Sequence, residues 1–235
     1  MMNTEPPAIR YTDRATLARM LGERVAADLS AAIAARGRAS LVVSGGRSPI
    51  ELFEHLRVQA LDWSRVWVAL ADERWVDPAD PDSNERLVRD VLLRDRAAAA
   101  NFRGLKNSAA TPELGAAPAW QRLMDVPRPF DALVLGMGDD GHTASLFPGS
   151  PDLSAALDES AAPGCVGMRA PISPRARLSL NLAALLDTRR IVILITGEAK
   201  WRTYAAACQP GAVELMPVRT ILRQRRAPVD VVWSP

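Results

Sequence analysis

Ala39-Ser-Leu-Val-Val-Ser-Gly-Gly-Arg-Ser-Pro49 is the stretch that decides how this chain folds. Its first half is short, apolar and β-branched, the composition of a strand buried on both faces. Gly45 and Gly46 end that strand, and Leu52, Phe53 and Leu56 beyond Pro49 fall at helical spacing. Strand, glycine turn and helix form the repeating unit of a parallel sheet, and similar units lie on either side. Upstream, Leu17, Leu21, Val25, Leu29 and Ile33 make the stripe of a long amphipathic helix, widened by Ala18 and Met20. Thr12 or Asp13 can cap its start, and Gly37 can close it. Downstream, Val66-Trp-Val-Ala-Leu-Ala71, Phe130-Asp-Ala-Leu-Val-Leu135, Ile191-Val-Ile-Leu-Ile195 and Val229-Asp-Val-Val-Trp233 read as further strands. A Pro- and Asp-rich loop over 77–82 leads into a helix with Asp82 as cap, Glu85 three residues on and Leu87, Val88, Val91 and Leu92 as its apolar face. Segments 97–119 and 147–175, rich in Ala, Pro, Ser and Gly, read as loops. Together these elements predict an α/β fold: one domain over 1–235, a mostly parallel sheet with helices on both faces.

Composition narrows the function. With 235 residues, 48% of them hydrophobic, the chain can bury a core without disulfides. Cys165 and Cys208 are its only cysteines and stand in no metal-like spacing, which points to the reducing cytoplasm. The stretch MMNTEPPAIRYTD lacks the apolar core of a leader peptide, and no run approaches the roughly 20 apolar residues of a membrane helix. A net charge of +2, scattered along the chain, argues against nucleic acid as a partner. Only Lys106 and Lys200 are lysines, leaving 29 − 2 = 27 arginines, so a lysine marks a position to examine for a compact charge.

In open α/β sheets ligands gather beyond the carboxyl ends of the strands, and the unusual residues of this chain cluster there. Ser44, Gly45, Gly46, Arg47 and Ser48 let the backbone approach an anion, with a helix N-terminus and side-chain donors behind it. The same residues would also serve as a plain strand-to-helix turn; without Gly-Lys-Ser/Thr they are not a nucleotide P-loop. Asp72-Glu73-Arg74 follows a strand as three charges, either a solvated loop or an oxyanion contact by Arg74 oriented by Asp72. Glycines 136, 138 and 141 match the dinucleotide fingerprint, but Pro148 and Pro151 interrupt the helix that motif needs, and no strand delivers the acid it needs. What remains on that turn is His142, two residues from Asp140: an imidazole that a carboxylate can orient as a general base. The other histidine, His55, sits in a helical stretch and reads as structural or merely exposed. Lys200 falls in the first turn after a fourth strand, where an ammonium suits a phosphate. Arg177 could reach the same anion.

With SGGRSP, ADERWV, DPDSNERLV, LGMGDDGHTASLFPG, RLSLNL and ITGEAK in this order, the sequence resembles the 6-phosphogluconolactonase family over nearly its whole length. The resemblance implies the fold of glucosamine-6-phosphate deaminase and ribose-5-phosphate isomerase, and a role in the oxidative pentose phosphate pathway. It implies hydrolysis of a sugar-phosphate lactone without cofactor or metal. His142 would be the general base and Arg74 its companion, with Asp140 beside them. The 44–48 loop, Arg177 and Lys200 would hold the phosphate. Arg47 and Ser48 stand where the family usually has Ser and Thr, and Ser179 and Asn181 where threonines are common. A glucosamine-6-phosphate deaminase would carry Asp-Glu-Tyr at 72–74 and carboxylates after the histidine. A non-catalytic sugar-phosphate sensor would add an output module. The oligomeric state stays open, and a monomer suffices.

Overall fold

The computed structural model describes residues 8–235; residues 1–7, the first half of the stretch read for a leader, lie outside the described residues. In chain order the strands are β1 (Ala8–Arg10), β2 (Ala39–Val43), β3 (Val66–Leu70), β4 (Asp72–Arg74), β5 (Asn101–Arg103), β6 (Ala132–Leu135), β7 (Cys165–Arg169), β8 (Ala176–Leu180), β9 (Ile191–Thr196) and β10 (Val229–Ser234). Seven of these form one wholly parallel sheet in the order β1-β10-β9-β6-β2-β3-β5. Every residue of β2 and β6 is buried, as the unbroken apolar runs require of strands covered on both faces. From β2 the chain moves outward through β3 to β5. It then returns to the other side of β2 and moves outward again through β6, β9 and β10. Strand order therefore reverses between β2 and β6, and the loops leaving them splay apart into a crevice.

The first helix, α1 (Arg14–Arg36), is capped by Asp13, whose carboxylate accepts from the Thr16 N–H at 2.7 Å. Gly37 closes it in a left-handed conformation (φ 74°), its N–H returning to the Ile33 carbonyl. Leu17, Leu21, Val25 and Leu29 are buried, and the helix packs on α2 (Ile50–Leu56). His55 of α2 lies there against Gly22, where an added Cβ would meet the His55 Cβ at 3.3 Å, so its role is packing.

Four sequence expectations are corrected. The helix after the 77–82 loop, α3 (Asn84–Leu87), is capped by Ser83 and not Asp82: the Ser83 hydroxyl accepts from the Arg86 N–H. Asp72-Glu73-Arg74 is neither loop nor strand end but β4, paired antiparallel with β8 in a second sheet of order β4-β8-β7. Segment 97–119 holds β5 and the start of α4 (Pro112–Arg122), where Thr111 caps and Pro112 opens the helix. A first-turn proline gives up no hydrogen bond, so that proline marked a helix start. Segment 147–175 holds α5 (Leu153–Ala156) and β7. Three short helices complete the chain: α6 (Leu182–Leu185), α7 (Glu198–Cys208) and α8 (Val218–Arg223). Among the described residues no helix is long and apolar enough to cross a membrane.

Ala71 joins the two sheets. Its N–H donates to the Val43 carbonyl and its own carbonyl accepts from the Leu180 N–H, both at 2.8 Å. The small sheet thus grows from the carboxyl edge of the large one and becomes a side wall of the crevice.

Candidate active site

A cavity of about 260 Å³ opens at the reversal between β2 and β6. One side is Ser44, Gly45, Gly46, Arg47 and Ser48 after β2; the opposite side is Gly136, Met137, Gly138 and His142 after β6. Asp72 and Arg74 of β4, Asn84 of α3, Ala144 and Lys200 of α7 complete the lining. The histidine and the glycine-rich loop, far apart in sequence, face one space.

The turn that carries His142 is shaped to hold its ring. His142 Nδ1 lies 2.6 Å from Asp140 Oδ1, which also accepts from the His142 backbone N–H at 3.0 Å. With Nδ1 turned to a carboxylate, it carries the proton in the neutral ring, and Nε2 is left as the basic nitrogen. Partial burial alone would raise the Asp140 carboxyl, but the bonds from His142 outweigh it and hold it below the ordinary value of 3.8. Phe147 packs on the imidazole at 4.3 Å between ring centres. Gly138 leaves the room: an added Cβ would fall 2.0 Å from His142 Nδ1 and 2.5 Å from Asp140 Oδ1. No helix follows this turn before α5, so the glycine spacing is not that of a dinucleotide site.

Ala144, next on the chain, has φ 47°, a left-handed conformation that costs a residue with a Cβ roughly 1–2 kcal/mol. Its neighbours hold it in place. The Thr143 hydroxyl donates to the Gly136 carbonyl at 2.9 Å, and the Ser145 hydroxyl donates to Asp72 Oδ2 at 2.6 Å. Asp72 therefore ties the histidine turn to the small sheet, a role its sequence neighbours did not reveal.

Glu73 is the second residue that the sequence understated. Its carboxylate is wholly buried and accepts from the backbone N–H groups of Arg74 and Asn84 at 2.7 Å and of Glu85 at 2.8 Å, and from the Ser83 hydroxyl at 3.1 Å. Burial pushes this carboxyl up to about 7, against those donors, which pull it down. The outcome is a fixed start for α3 that presents Asn84 to the cavity. Asn84 donates from Nδ2 to the Asp72 carbonyl at 2.8 Å. Its Oδ1, like the Ser44 hydroxyl, is buried with no hydrogen-bond partner among the described residues. Gly45 permits the approach, since a Cβ there would lie 1.9 Å from Asn84 Oδ1. Two lining groups without partners suit hydroxyls brought in by a ligand.

The cations divide into two groups. Arg74 lines the cavity, and its guanidinium donates to the Asp82 carbonyl. Arg177 stands opposite it in the β4–β8 register, but lines no part of this cavity. It is buried behind Phe147, 5.9 Å above that ring, and burial followed by the charge of Arg74 lowers its pKa. The structure does not bring Arg177 to the loop at 44–48, because β8 holds it on the side of Arg74. Arg47 and Lys200 stand at the other end of the cavity. Lys200 Nζ pairs at 2.9 Å with Asp139, which is 76% exposed. Trp201 lines no part of the cavity; it packs on Tyr204 and Trp233, with Arg10 stacked 4.1 Å above it. Among the described residues no three His, Cys, Asp or Glu side chains gather as a metal set.

A carboxylate-oriented histidine and a cation-lined glycine loop thus share the switch-point crevice of a parallel sheet, an arrangement suited to chemistry on a small anion. The family described as glucosamine-6-phosphate isomerases/6-phosphogluconolactonase matches residues 12–233, and the chain belongs to that family. A 6-phosphogluconolactonase of Pseudomonas aeruginosa is 48% identical over 218 residues, 93% of this chain and 90% of that protein. One of Rhizobium meliloti is 44% identical, covering 96% and 97%. The crystal structure of a 6-phosphogluconolactonase from Shewanella baltica superposes with TM-score 0.96 at 45% identity, covering all of both chains. A monomeric glucosamine-6-phosphate deaminase shares the fold, with TM-score 0.77 at 16% identity.

Proposed function

We propose that this chain hydrolyses 6-phospho-D-glucono-1,5-lactone to 6-phospho-D-gluconate, in the oxidative pentose phosphate pathway of the cytoplasm. The observation that carries the reading is the single cavity lined by both His142 and the 44–48 loop. Similarity to relatives named 6-phosphogluconolactonase across nearly the whole chain supports it.

The lactone is a cyclic ester, so the site must activate water and accept negative charge on the carbonyl oxygen. His142 Nε2 takes a proton from water as the oxygen attacks C1, a step commonly worth about 10²–10⁴-fold. Asp140 keeps Nδ1–H facing it and stabilises the imidazolium. The Arg74 guanidinium neutralises the tetrahedral oxyanion. As the C1–ring-oxygen bond breaks, the imidazolium returns its proton to the departing ring oxygen, leaving the acid product and neutral His142. The phosphate is held at the other end by the backbone of Gly45 and Gly46, by Ser44, Arg47 and Ser48, and by Lys200. Holding it fixes C1 over the histidine. Lys200 exchanges its exposed partner Asp139 for the phosphate, at little cost because exposed pairs are weak. Arg177 acts through Phe147 and Arg74. Asp72 and Asn84, with acceptors on the cavity wall, take hydroxyls of the sugar. The histidine turn offers Thr143 and Ser145 where an amino-sugar isomerase needs carboxylates, which favours hydrolysis over deamination.

The test is to generate the lactone with glucose-6-phosphate dehydrogenase and follow its disappearance against the spontaneous rate. The wild-type chain is expected to accelerate it, and His142→Ala to lose most of the acceleration while still binding 6-phosphogluconate. A wild-type rate equal to the spontaneous one refutes the activity, and full activity of the variant refutes the base.

A further inference from the structure

Beside the active cavity, behind the side chains of Arg47, Ser48 and Lys200, lies a second one of about 360 Å³. Its remaining polar walls are Arg14 and Glu51, from the first turns of α1 and α2, and Thr196 at the end of β9. Beneath them lies an apolar floor that includes Leu17, Leu52 and Leu194, each almost fully buried. Three cations thus face one carboxylate around a space larger than the active cavity itself.

The guanidinium groups of Arg14 and Arg47 make no ion pair or hydrogen bond among the described residues. Arg14 opens α1 beside Asp13, whose carboxylate is engaged in capping the helix, and the first turn beyond it holds no acid to pair with the guanidinium. An arginine without a partner among the described residues, lining a cavity with two other cations, suits an anion bound there. The polar rim and apolar floor suit a phosphate group carrying a compact carbon body.

We propose that this second cavity binds a small phosphate-bearing anion, inorganic phosphate or a phosphate monoester, and that its occupant opposes substrate binding. Opposition follows from the shared wall: Arg47 and Lys200 border both cavities, so a dianion on one side draws away the charge needed on the other. The antagonism, though not the binding, rests on reading the neighbouring cavity as the lactone site.

Arg14 separates the two, since it borders only the second cavity and is solvent-exposed on a capped helix, so Arg14→Ala is expected to fold normally. Binding of inorganic phosphate and of glycerol 3-phosphate to the wild-type chain and the variant is measured by titration calorimetry, which needs no turnover. Lactone KM is measured separately with and without each anion. The variant is expected to bind phosphate about tenfold more weakly, the loss of roughly one charge-assisted hydrogen bond, and to resist inhibition by it. Its KM without added anion is expected to be unchanged. Tighter binding of glycerol 3-phosphate than of inorganic phosphate assigns the site to monoesters, and the reverse order to the free ion. Undiminished phosphate binding by the variant overturns the proposal. So does a parallel rise in its KM, which would make the second cavity merely the phosphate end of the first. If phosphate binding depends on Arg14 but the wild-type chain turns over no lactone, the lactonase reading fails and the anion site stands.

Discussion

Gly138→Ala tests the histidine turn more sharply than removal of the histidine itself. Gly138 is not at positive φ, so alanine meets no backbone penalty, and the whole effect comes from one methyl group. That methyl would sit 2.0 Å from His142 Nδ1, where ordinary contact begins at 3.4 Å, so the ring must retreat by 3.4 − 2.0 = 1.4 Å. Asp140 Oδ1 would lie 2.5 Å from the same methyl and must also move, by 3.4 − 2.5 = 0.9 Å, so the two partners are displaced unequally. A bond of 2.6 Å lengthened by a comparable distance leaves the hydrogen-bonding range. Misplacing a reacting group by about 1 Å costs on the order of 10²-fold, and overpacking a fitted site costs about 1–3 kcal/mol of stability. Gly138→Ala is therefore expected to lower kcat by about 10²-fold, while 6-phosphogluconate binding, anchored at the phosphate end, changes far less. Gly136→Ala on the same turn is the stability control, because a Cβ there meets no protein atom within 4 Å. Urea unfolding of both variants and steady-state kinetics of Gly138→Ala decide the matter. A folded Gly138→Ala enzyme with kcat within threefold of wild type would refute the claim that the Asp140–His142 contact organises the base.

Three further outcomes follow from the same geometry. Glu73, ordinary value 4.5, is pushed up to about 7 in the folded chain, so its contribution to stability is complete below pH 4.5 and is lost as pH rises through 7. The difference, 7 − 4.5 = 2.5 units, is worth about 3 kcal/mol. The stability advantage of wild type over Glu73→Gln in urea is expected to shrink by about that amount between pH 4.5 and 8, and an advantage independent of pH contradicts the assignment. Ala144→Gly relieves a left-handed alanine and is expected to stabilise by up to about 1 kcal/mol, whereas Ala144→Val should destabilise by about 1–3 kcal/mol. Thermal unfolding that ranks valine above glycine would remove the strain argument. Lys200→Ala is expected to raise KM about tenfold with little change in kcat, and Asp139→Asn, which frees the ammonium, to lower KM about twofold. An unchanged KM in the lysine variant takes Lys200 out of the phosphate end.

Five strands of the parallel sheet, β2, β3, β6, β9 and β10, were legible as short, largely apolar runs, whereas β1 and β5, three residues each and ending in arginine, were not. Nor was the small sheet. Asp72 and Glu73 are acids, and acids after a strand ordinarily face water; here burial is made tolerable by donors from residues 83–85 and 145, which no local pattern links to position 73 or 72. His142 and Asp140 could be paired from sequence because their contact is two residues long. The contact between Gly45 and Asn84 joins residues 39 apart and appears only once α3 is seated against the glycine loop. One signal was present and passed over: Ser83-Asn84-Glu85 following Asp-Glu-Arg is a helix start with a distant carboxylate as its second cap. Arg177, given to the phosphate by the family resemblance, is set by strand register opposite Arg74 and outside the cavity lining, a placement that no local pattern signals.

The two buried acids explain why the site can be rigid without being built on long helices. Asp72 holds the histidine turn through Ser145, and Glu73 holds the α3 start through two backbone N–H groups and the Ser83 hydroxyl, so adjacent residues on β4 fix two walls of one cavity. Alternation along a strand sends neighbouring side chains to opposite faces, which lets consecutive acids reach different loops. Ala71 then ties β4 to the large sheet at the point where strand order reverses. The two acids that open β4 thus set the spacing between the His142 turn and the Asn84 wall, and the 44–48 loop, pinned by the Ser44 N–H to the Val134 carbonyl of β6, completes the frame from the other side. Side chains that tie one loop to another decide where the cavity lining stands.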